Sequence, residues 1–207
     1  AYDIAERIDS LLHGSLQFAF DSKLGFLTEC PTNLGTGLRA SVMLHLPALE
    51  NSGEIEELAN SIAKIGFTVR GMYGEGSKSA AALYQVSNQV TLGLSEKNAL
   101  ENLKIITTQL MEKELESRKK IDTISLEDIC WRALAILQNA RILSSSEMMQ
   151  LISRVKLGQS MGILKIDALP IKILVEAQPF MLMQKYGILE PKDRDIYRAN
   201  MVRDAFG

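Results

Sequence analysis

Two glycine-containing loops in the first half of this chain carry residues whose types and spacing could do chemistry. The first spans residues 30–39 and places the thiol of Cys30, two glycines and the cation of Arg39 directly before a predicted strand. Such a loop can present backbone N–H groups to an anion, while the arginine adds a fixed charge. It lacks the Gly-Lys-Ser/Thr end of a Walker loop, and no helix follows it. Composition alone favours an ordinary turn and leaves an anion site as the alternative.

The second loop spans residues 70–77. Arg70 stands at its start, and Glu75 lies between two glycines. A carboxylate in this position suits a cationic ligand, but an exposed loop tip would have the same composition. The pattern favours neither interpretation over the other.

A third group of charged residues lies near the end of the chain, on a predicted helix. Arg194 and Arg198 are four residues apart, and Asp195 lies beside the first and one turn from the second. Two cations and a carboxylate on one face could hold a phosphoguanidinium group, with the arginines on the phosphate and the acid on the guanidinium. On the pattern alone, a solvated and salt-bridged helix face is the favoured interpretation.

Short strands and glycine turns are predicted before residue 93. The strands are expected where apolar residues alternate or cluster between turn residues, at residues 16–20, 24–28, 39–46, 67–72 and 83–86. A helix is expected between the third and fourth strands, with Asn51 and Glu54 as its capping pair and an end near Lys64.

The strand at residues 39–46 has the clearest two-residue period in the chain. Its period predicts one apolar face with Ala40, Val42, Leu44 and Leu46, and a second face with Arg39, Ser41, Met43 and His45. Arg39 and Ser41 are therefore expected on the same side of a sheet.

From Ser95 onward the apolar residues recur with a helical period. Helices are predicted at residues 95–120, from Ser125, at residues 144–158, 167–178 and 180–185, and from Pro191. The expected fold class is α+β, with part of an antiparallel sheet flanked by helices, followed by an all-helical part. We expect a domain boundary near residue 120, giving one domain at residues 1–120 and a second at 121–207.

The composition is that of a globular protein and excludes several classes of function. Hydrophobic residues make up 46% and charged residues 23% of the chain, and the net charge is −2. A charge so close to zero predicts neither a nucleic-acid nor a membrane partner. Only two cysteines occur, which fits a reducing cytosol, and early acidic residues are not typical of a signal peptide. The chain is therefore expected in the cytoplasm.

The two loops together resemble a known family. The segment Cys30-Pro-Thr-Asn-Leu-Gly-Thr-Gly-Leu-Arg-Ala-Ser-Val42 is similar to the signature of the phosphagen (guanidino) kinases, which include the arginine and creatine kinases. Val69-Arg70-Gly71, Gly74-Glu75 and residues 84–88 resemble that family's substrate loop and the strand after it. Within the family the bacterial protein arginine kinases are more similar still, through residues 73–77, residues 43–47 and the helical tail.

The resemblance implies transfer of the γ-phosphoryl group of ATP to an arginine guanidinium of a protein, giving ADP and phosphoarginine. It implies that Arg39 and Arg70 bind the nucleotide phosphates together with Mg²⁺, with no metal held by protein ligands, and that Ser41 and His45 also contact the nucleotide. Glu75 would orient the acceptor guanidinium, with the Cys30 thiolate beside it. Arginine suits phosphate because its planar fork makes two contacts and keeps its charge.

Several features of the chain differ from the family pattern. Met43 stands where the small-substrate kinases have a histidine near the adenine, Gln85 replaces an aspartate, and Lys78 occupies a position that is often acidic in the protein kinases of the family. The resemblance also implies that the second substrate carboxylate and further phosphate-binding arginines lie in sequence before Ala1. The chain is then expected to be the C-terminal portion of such a kinase and incomplete as an enzyme by itself.

The tail motif resembles the phosphoarginine-reading motif of protein arginine kinases and of their unfoldase partner. It implies an allosteric phosphoarginine site at Arg194, Asp195 and Arg198. The implied partners are protein substrates with exposed arginines, a second copy of the chain bound through the helical domain, a Clp-type unfoldase and an activator. Phosphorylation would mark proteins for Clp-type proteolysis. The alternatives are a non-catalytic phosphoarginine-binding and dimerisation module and, less favoured, a small-guanidine kinase.

Overall fold

The structure, a computed structural model, describes residues 1–72, 81–166, 172–188 and 190–207. These residues form five strands and nine α-helices. The strands are β1 Phe20–Asp21, β2 Gly25–Phe26, β3 Ser41–His45, β4 Phe67–Gly71 and β5 Leu83–Asn88. The helices are α1 Tyr2–His13, α2 Pro47–Ser52, α3 Ile55–Ala63, α4 Glu96–Arg118, α5 Thr123–Asn139, α6 Ser145–Ser160, α7 Ile173–Glu176, α8 Pro179–Tyr186 and α9 Pro191–Phe206. The predicted α+β class is confirmed.

Strands β3, β5 and β4 form an antiparallel sheet with β5 in the centre. Val86 of β5 lies opposite Val42 on one side and Val69 on the other, and it is fully buried. This row of β-branched residues belongs to the apolar face, which packs against α3 and α4 through a core that includes Phe67, Leu103, Ile106 and Leu110. The helices therefore cover one face of the sheet.

The predicted alternation along β3 is confirmed only in part. Leu44 and Leu46 are buried and Ser41 is exposed, as expected. Val42 also lies on the apolar face, yet 37% of it remains exposed. β3 is an edge strand of the described sheet, so Val42 has a neighbouring strand on one side only.

The second half of the chain folds around a separate apolar core made by α5, α6, α9 and the segments between them. α6 begins as predicted at the Ser144 cap, where the side-chain oxygen accepts a hydrogen bond from the Glu147 amide at 3.2 Å. α5 begins earlier than predicted, because Asp122 and not Ser125 is its cap: the Asp122 carboxylate accepts from the Ser125 amide at 2.9 Å.

The two halves are joined by a buried carboxylate near the end of α4. Glu114 is 3% exposed and accepts hydrogen bonds from the Ala48 and Leu49 amides at the start of α2. Glu114 also pairs with Arg118, whose Nε lies 2.7 Å from the carboxylate. The Nη1 of Arg118 donates to Ser160 at the end of α6. Through this network one carboxylate satisfies the first turn of α2 and holds the cation that reaches the helical half.

Other local predictions differ from the structure near the start of the chain and before α3. No helix is predicted for residues 1–15, whereas α1 occupies most of them without burying any residue. The predicted strands at 16–20 and 24–28 shrink to two residues each. Asn51 does not cap α3, because it lies inside α2. Gly53 is the C-cap of α2. The predicted helix at 167–178 lies partly outside the described residues, which contain α7.

No helix in the described ranges is both long enough and apolar enough to cross a membrane.

Candidate active site

The polar face of the three-stranded sheet brings the predicted phosphate-binding residues to one side. The strand register aligns Arg70 of β4, Gln85 of β5 and Met43 of β3 in one row across the sheet. The neighbouring row contains Thr68, Ser87 and Ser41. Because successive side chains of a strand alternate between faces, both rows lie opposite the helix-covered valines. The sheet thus presents arginine and hydroxyl groups on the face away from α3 and α4.

Arg39 lies at the entrance to β3 and belongs to the same face. Its Nη2 is 3.4 Å from Oγ of Ser87, so the guanidinium reaches across the strand pair to β5. Arg39 and Ser41 are exposed, while Arg70 is half-buried and has interactions of its own. An exposed arginine guanidinium can supply several donors to one anion, and the buried Ser87 hydroxyl helps to hold it in place.

The backbone around Arg39 is fixed by the side chain of Asn88. The Asn88 Oδ1 accepts from the Ala40 amide at 2.8 Å, and its Nδ2 donates to the carbonyls of Leu38 at 2.9 Å and Val90 at 3.2 Å. Asn88 is 3% exposed, so these bonds are shielded from water. One carboxamide therefore holds the backbone on both sides of Arg39 and so fixes the position from which the Arg39 side chain extends.

The loop at residues 30–37 is held in the same way by Thr91. The Thr91 hydroxyl donates to the carbonyls of Thr32 at 3.1 Å and Leu34 at 2.7 Å, and its own carbonyl accepts from the Thr36 amide. Gly35 has a φ of 101°, and a Cβ at this position would come within 2.3 Å of the Thr91 carbonyl oxygen. The close approach of the two backbones therefore requires glycine.

Cys30 is an exposed free thiol in this loop, so it is not a packed core residue. Its Sγ lies 2.9 Å from the Thr32 hydroxyl, and hydrogen bonds from Thr32 hold the pKa of the Cys30 thiol below its usual value. A lowered pKa increases the fraction of thiolate, the form that can lie beside a guanidinium cation.

His45 lies at the other end of β3, where the sheet meets the helical half. Its Nε2 is 2.8 Å from Oγ of Ser153 on α6. Burial, aided by the nearby cations of Arg118 and Lys156, lowers the pKa of His45 from 6.5 to about 4, so the ring is neutral at pH 7. The structure places this predicted nucleotide contact against a helix of the second half.

The predicted acceptor carboxylate, Glu75, lies outside the described residues, as does Lys78. The residues that flank this segment are described. Met72 before it and Ala81 after it both pack against the core of the helical half. The two ends of the segment that contains Glu75 are therefore anchored on the second half of the chain.

The three tail residues do not share one exposed face. Arg198 is 1% exposed, and its Nε and Nη1 donate to the carbonyls of Ala177 and Leu143, each at 2.8 Å. Arg198 also pairs with the Asp195 carboxylate. Arg194 and Asp195 are half-buried, and Arg194 has interactions of its own. Arg198 thus holds α9 against its neighbours, while the other two reach the surface.

Two family models match the chain end to end. Residues 1–117 match the model described as "ATP:guanido phosphotransferase, C-terminal catalytic domain", which is more than half of the chain. The chain belongs to the ATP:guanido phosphotransferase family. Residues 123–207 match a second model, described as "Protein-arginine kinase McsB C-terminal domain".

Curated relatives of this chain are similar over nearly its whole length. It is 50% identical to a protein-arginine kinase of Clostridium kluyveri and 44% identical to one of Caldanaerobacter subterraneus subsp. tengcongensis. Each match covers 98% of this chain and 61% of the relative, so the chain spans about three fifths of the length of these proteins. Among solved structures, lombricine kinase is similar with a TM-score of 0.50 and 25% identity, over 58% of this chain and 33% of that chain.

The polar face of the sheet carries residue types that commonly bind phosphate groups. Arg39, Ser41 and Arg70 offer cationic and hydroxyl donors of the kind that bind phosphate oxygens. Within the described ranges, no cluster of three or more His, Cys, Asp or Glu side chains could hold a metal. The side chains of Arg39, Ser41 and Arg70 are therefore of the types suited to a phosphate group.

Sequence reasoning missed the residues that support the site. Asn88 and Thr91 are polar residues after a strand, and nothing in their local pattern indicates the contacts that they make about 50 residues away. Glu114 did carry a signal: it continues the apolar stripe of α4 that includes Leu103, Ile106 and Leu110. An acid at a position predicted to be buried indicates a specific partner.

Proposed function

We propose that the whole protein to which this chain belongs transfers the γ-phosphoryl group of ATP to arginine side chains of proteins. The observation that carries the proposal is the exposed Arg39, fixed from both sides by Asn88, on the same sheet face as Ser41 and Arg70. Family membership supports the reaction class, and the match of residues 123–207 to a protein-arginine kinase domain supports the acceptor class.

The reaction is an in-line displacement at phosphorus. A guanidinium nitrogen of the acceptor forms a bond to the γ-phosphorus, and the bond from that phosphorus to the bridging oxygen of ADP breaks. The attacking nitrogen loses one proton, so that the products are ADP, phosphoarginine and H⁺. Charge develops on the phosphoryl oxygens during transfer, and arginines placed beforehand stabilise it. Arg39 and Arg70 would fill this role.

The acceptor is a cation and has to be held near other cations. The resemblance assigns this task to Glu75 and Cys30, and the lowered pKa of the Cys30 thiol supports the second assignment. An anionic sulfur beside the guanidinium would offset the charge of the phosphate-binding arginines and orient the attacking nitrogen. Both assignments remain proposals, as do the nucleotide contacts of Ser41 and His45.

Substitution of Arg39 tests the proposed function. Arg39→Ala in the full-length protein should lower turnover by about 10²–10³-fold, the usual cost of removing a preorganised group that stabilises transition-state charge. Arg132→Ala is a matched control, because Arg132 is an exposed arginine on α5 with only a surface ion pair. Wild-type turnover of the Arg39 variant would contradict the phosphate role.

Glu75→Gln tests the acceptor role separately. The Michaelis constant for the protein acceptor should rise while ATP affinity is preserved, because the proposed role of the lost charge is to hold the acceptor guanidinium. A collapse of ATP affinity with an unchanged acceptor Michaelis constant would show that the assignment is wrong.

A second candidate function is phosphoarginine binding through α9. It is favoured by the pair of Arg194 and Asp195 at the surface above the buried Arg198, which holds Asp195 in place. We propose that Arg194 contacts the phosphate, Asp195 the guanidinium, and that Arg198 positions the acid. Calorimetry with phosphoarginine should show binding that Arg194→Ala removes and Arg141→Ala, at an exposed position, preserves. Binding unchanged by Arg194→Ala would refute this site.

The remaining proposals concern context. We propose a domain boundary between the two matched regions, at residues 118–122, dimerisation through the helical half, and cooperation with a Clp-type unfoldase and an activator that leads to proteolysis of marked proteins. Exposed apolar side chains on α5 and α8, including Trp131 and Phe180, support a partner surface on the helical half. Two free cysteines support a reducing compartment such as the cytoplasm.

A further inference from the structure

A cleft lies at the junction between the sheet-containing half and the helical half. Its volume is about 480 Å³, within the range of about 300–1,000 Å³ typical of ligand sites. Its walls come from the start of α2, the residues before β5, the start of α5 and the middle of α6. The cleft thus opens between elements that are far apart in sequence.

The two matched regions of the chain contribute one wall each. Residues 1–117, matched by the ATP:guanido phosphotransferase model, supply Glu50, Asn51, Ala81 and Ala82. Residues 123–207, matched by the protein-arginine kinase model, supply the other wall, which includes Leu126, Ile129, Gln150, Ser153 and Arg154. Both matched regions are therefore needed to form this cleft.

Three polar side chains of the cleft have no side-chain hydrogen bond or ion pair within the described part of the chain. They are the carboxamides of Asn51 and Gln150, on opposite walls, and the guanidinium of Arg154. A carboxamide has both a donor and an acceptor, so it can pair with the N–H and C=O of a peptide backbone. Arg154 adds a cation suited to a carboxylate, and the rest of the lining is largely apolar.

The cleft floor adjoins the segment that contains the proposed acceptor carboxylate. Ala81 and Ala82 follow residues 73–80 directly, line the cleft and are buried. Both have positive φ values, 62° and 53°, in the left-handed region that alanine rarely adopts. Strain of this kind is retained where the surrounding structure imposes it, commonly beside functional sites. A ligand in the cleft would therefore contact Ala81 and Ala82, which follow the segment containing Glu75 in the sequence.

We infer that this cleft binds the polypeptide on either side of the acceptor arginine of a protein substrate. The inference rests on the proposed function, since it assigns the substrate class of the same site. The guanidinium enters the catalytic face while Asn51 and Gln150 pair with the flanking backbone. Arg154 favours an acidic residue near the acceptor. A free guanidine has no flanking chain and gains nothing from these contacts.

Blocking the cleft with tryptophan tests the inference in the full-length protein. Gln150→Trp and Asn51→Trp place a large ring in the cleft from opposite walls, both at exposed helix positions. Fluorescence anisotropy of a labelled ten-residue peptide with one central arginine should show at least a tenfold rise in Kd for each variant. Gln109→Trp, at an exposed position on α4 away from the cleft, should leave Kd unchanged.

Unchanged peptide affinity in both cleft variants, or no peptide binding by the wild-type protein, would overturn the inference. Arg154→Glu adds a test of charge, since it should reverse a preference for a peptide with aspartate beside the arginine over one with lysine there. No difference between the two peptides would contradict the role of Arg154. The assay measures binding only, so it is independent of the proposed function. If that function is wrong, the wild-type protein will bind the peptide but will not phosphorylate it.

Discussion

The clamp that Asn88 forms around Arg39 gives the most specific prediction. Asn88→Asp keeps the shape of the side chain and the acceptor for the Ala40 amide, but replaces the donor to Leu38 and Val90 with an anionic oxygen. Two buried hydrogen bonds are lost, at about 1 kcal/mol each, and the new oxygen faces two carbonyls in a site that is 3% exposed. Together these effects should destabilise the chain by about 3 kcal/mol.

Urea unfolding followed by circular dichroism measures this cost. With a slope of about 2 kcal/mol per molar urea, the midpoint should fall by about 1.5 M. Asn102→Asp makes the same chemical change at an exposed position of α4 and should move the midpoint by less than about 0.3 M. Without urea, the affinity for ADP should also fall about tenfold, because the backbone on either side of Arg39 is no longer held in place by Asn88. Equal midpoints for the two variants, or full ADP affinity with Asn88→Asp, would refute the clamp.

Three further predictions concern the pH dependence of stability, the loop before Arg39 and its thiol. The His45 ring takes up a proton near pH 6.5 in the unfolded chain but only near pH 4 in the folded one. The free energy of unfolding should therefore decrease as the pH is lowered from about 6.5 to about 4. The loss should be about 2 kcal/mol between pH 7 and pH 5, as measured by urea unfolding, and His45→Gln should remove that part. Gly35→Ala should lower the free energy of unfolding by at least about 2 kcal/mol more than Gly53→Ala does. Both glycines have a positive φ, but of the two only Gly35 has backbone atoms where a Cβ would lie. Equal decreases in melting temperature for the two variants would contradict this. Thr32→Val should slow alkylation of Cys30 by iodoacetamide at pH 7, while buried Cys130 stays unreacted in both proteins.

The sequence predicted the elements whose pattern is local. The helix at residues 95–120 and the Ser144 cap need only the helical period and nearby side chains, and both are close to the structure. The cap assigned to Asn51 is wrong because Pro47 starts an earlier helix, whose first amides bind the distant Glu114. The exposed fraction of Val42 depends on the strand order, which the sequence does not specify.

For the site, the sequence predicted which residues share a face but not what supports them. Alternation along β3 predicted that Arg39 and Ser41 lie on the same side of a sheet. The register through β5 also places Arg70 of β4 on the face that carries Ser41, which the sequence did not predict. The fate of Arg198 was not predictable in this way. Its two carbonyl partners come from segments 21 and 55 residues away, so the helical spacing could not distinguish a solvated arginine from a buried one.

Phosphorus NMR of the reaction product tests the central claim most directly. The full-length protein is incubated with ATP and an arginine-containing protein, and the modified protein is examined before and after mild acid, which cleaves nitrogen–phosphorus bonds but spares phosphate esters. We expect an acid-labile phosphoarginine resonance with the wild-type protein and its loss with Arg39→Ala. An acid-stable phosphate ester, or a phosphoarginine signal of equal size from the Arg39 variant, would contradict it.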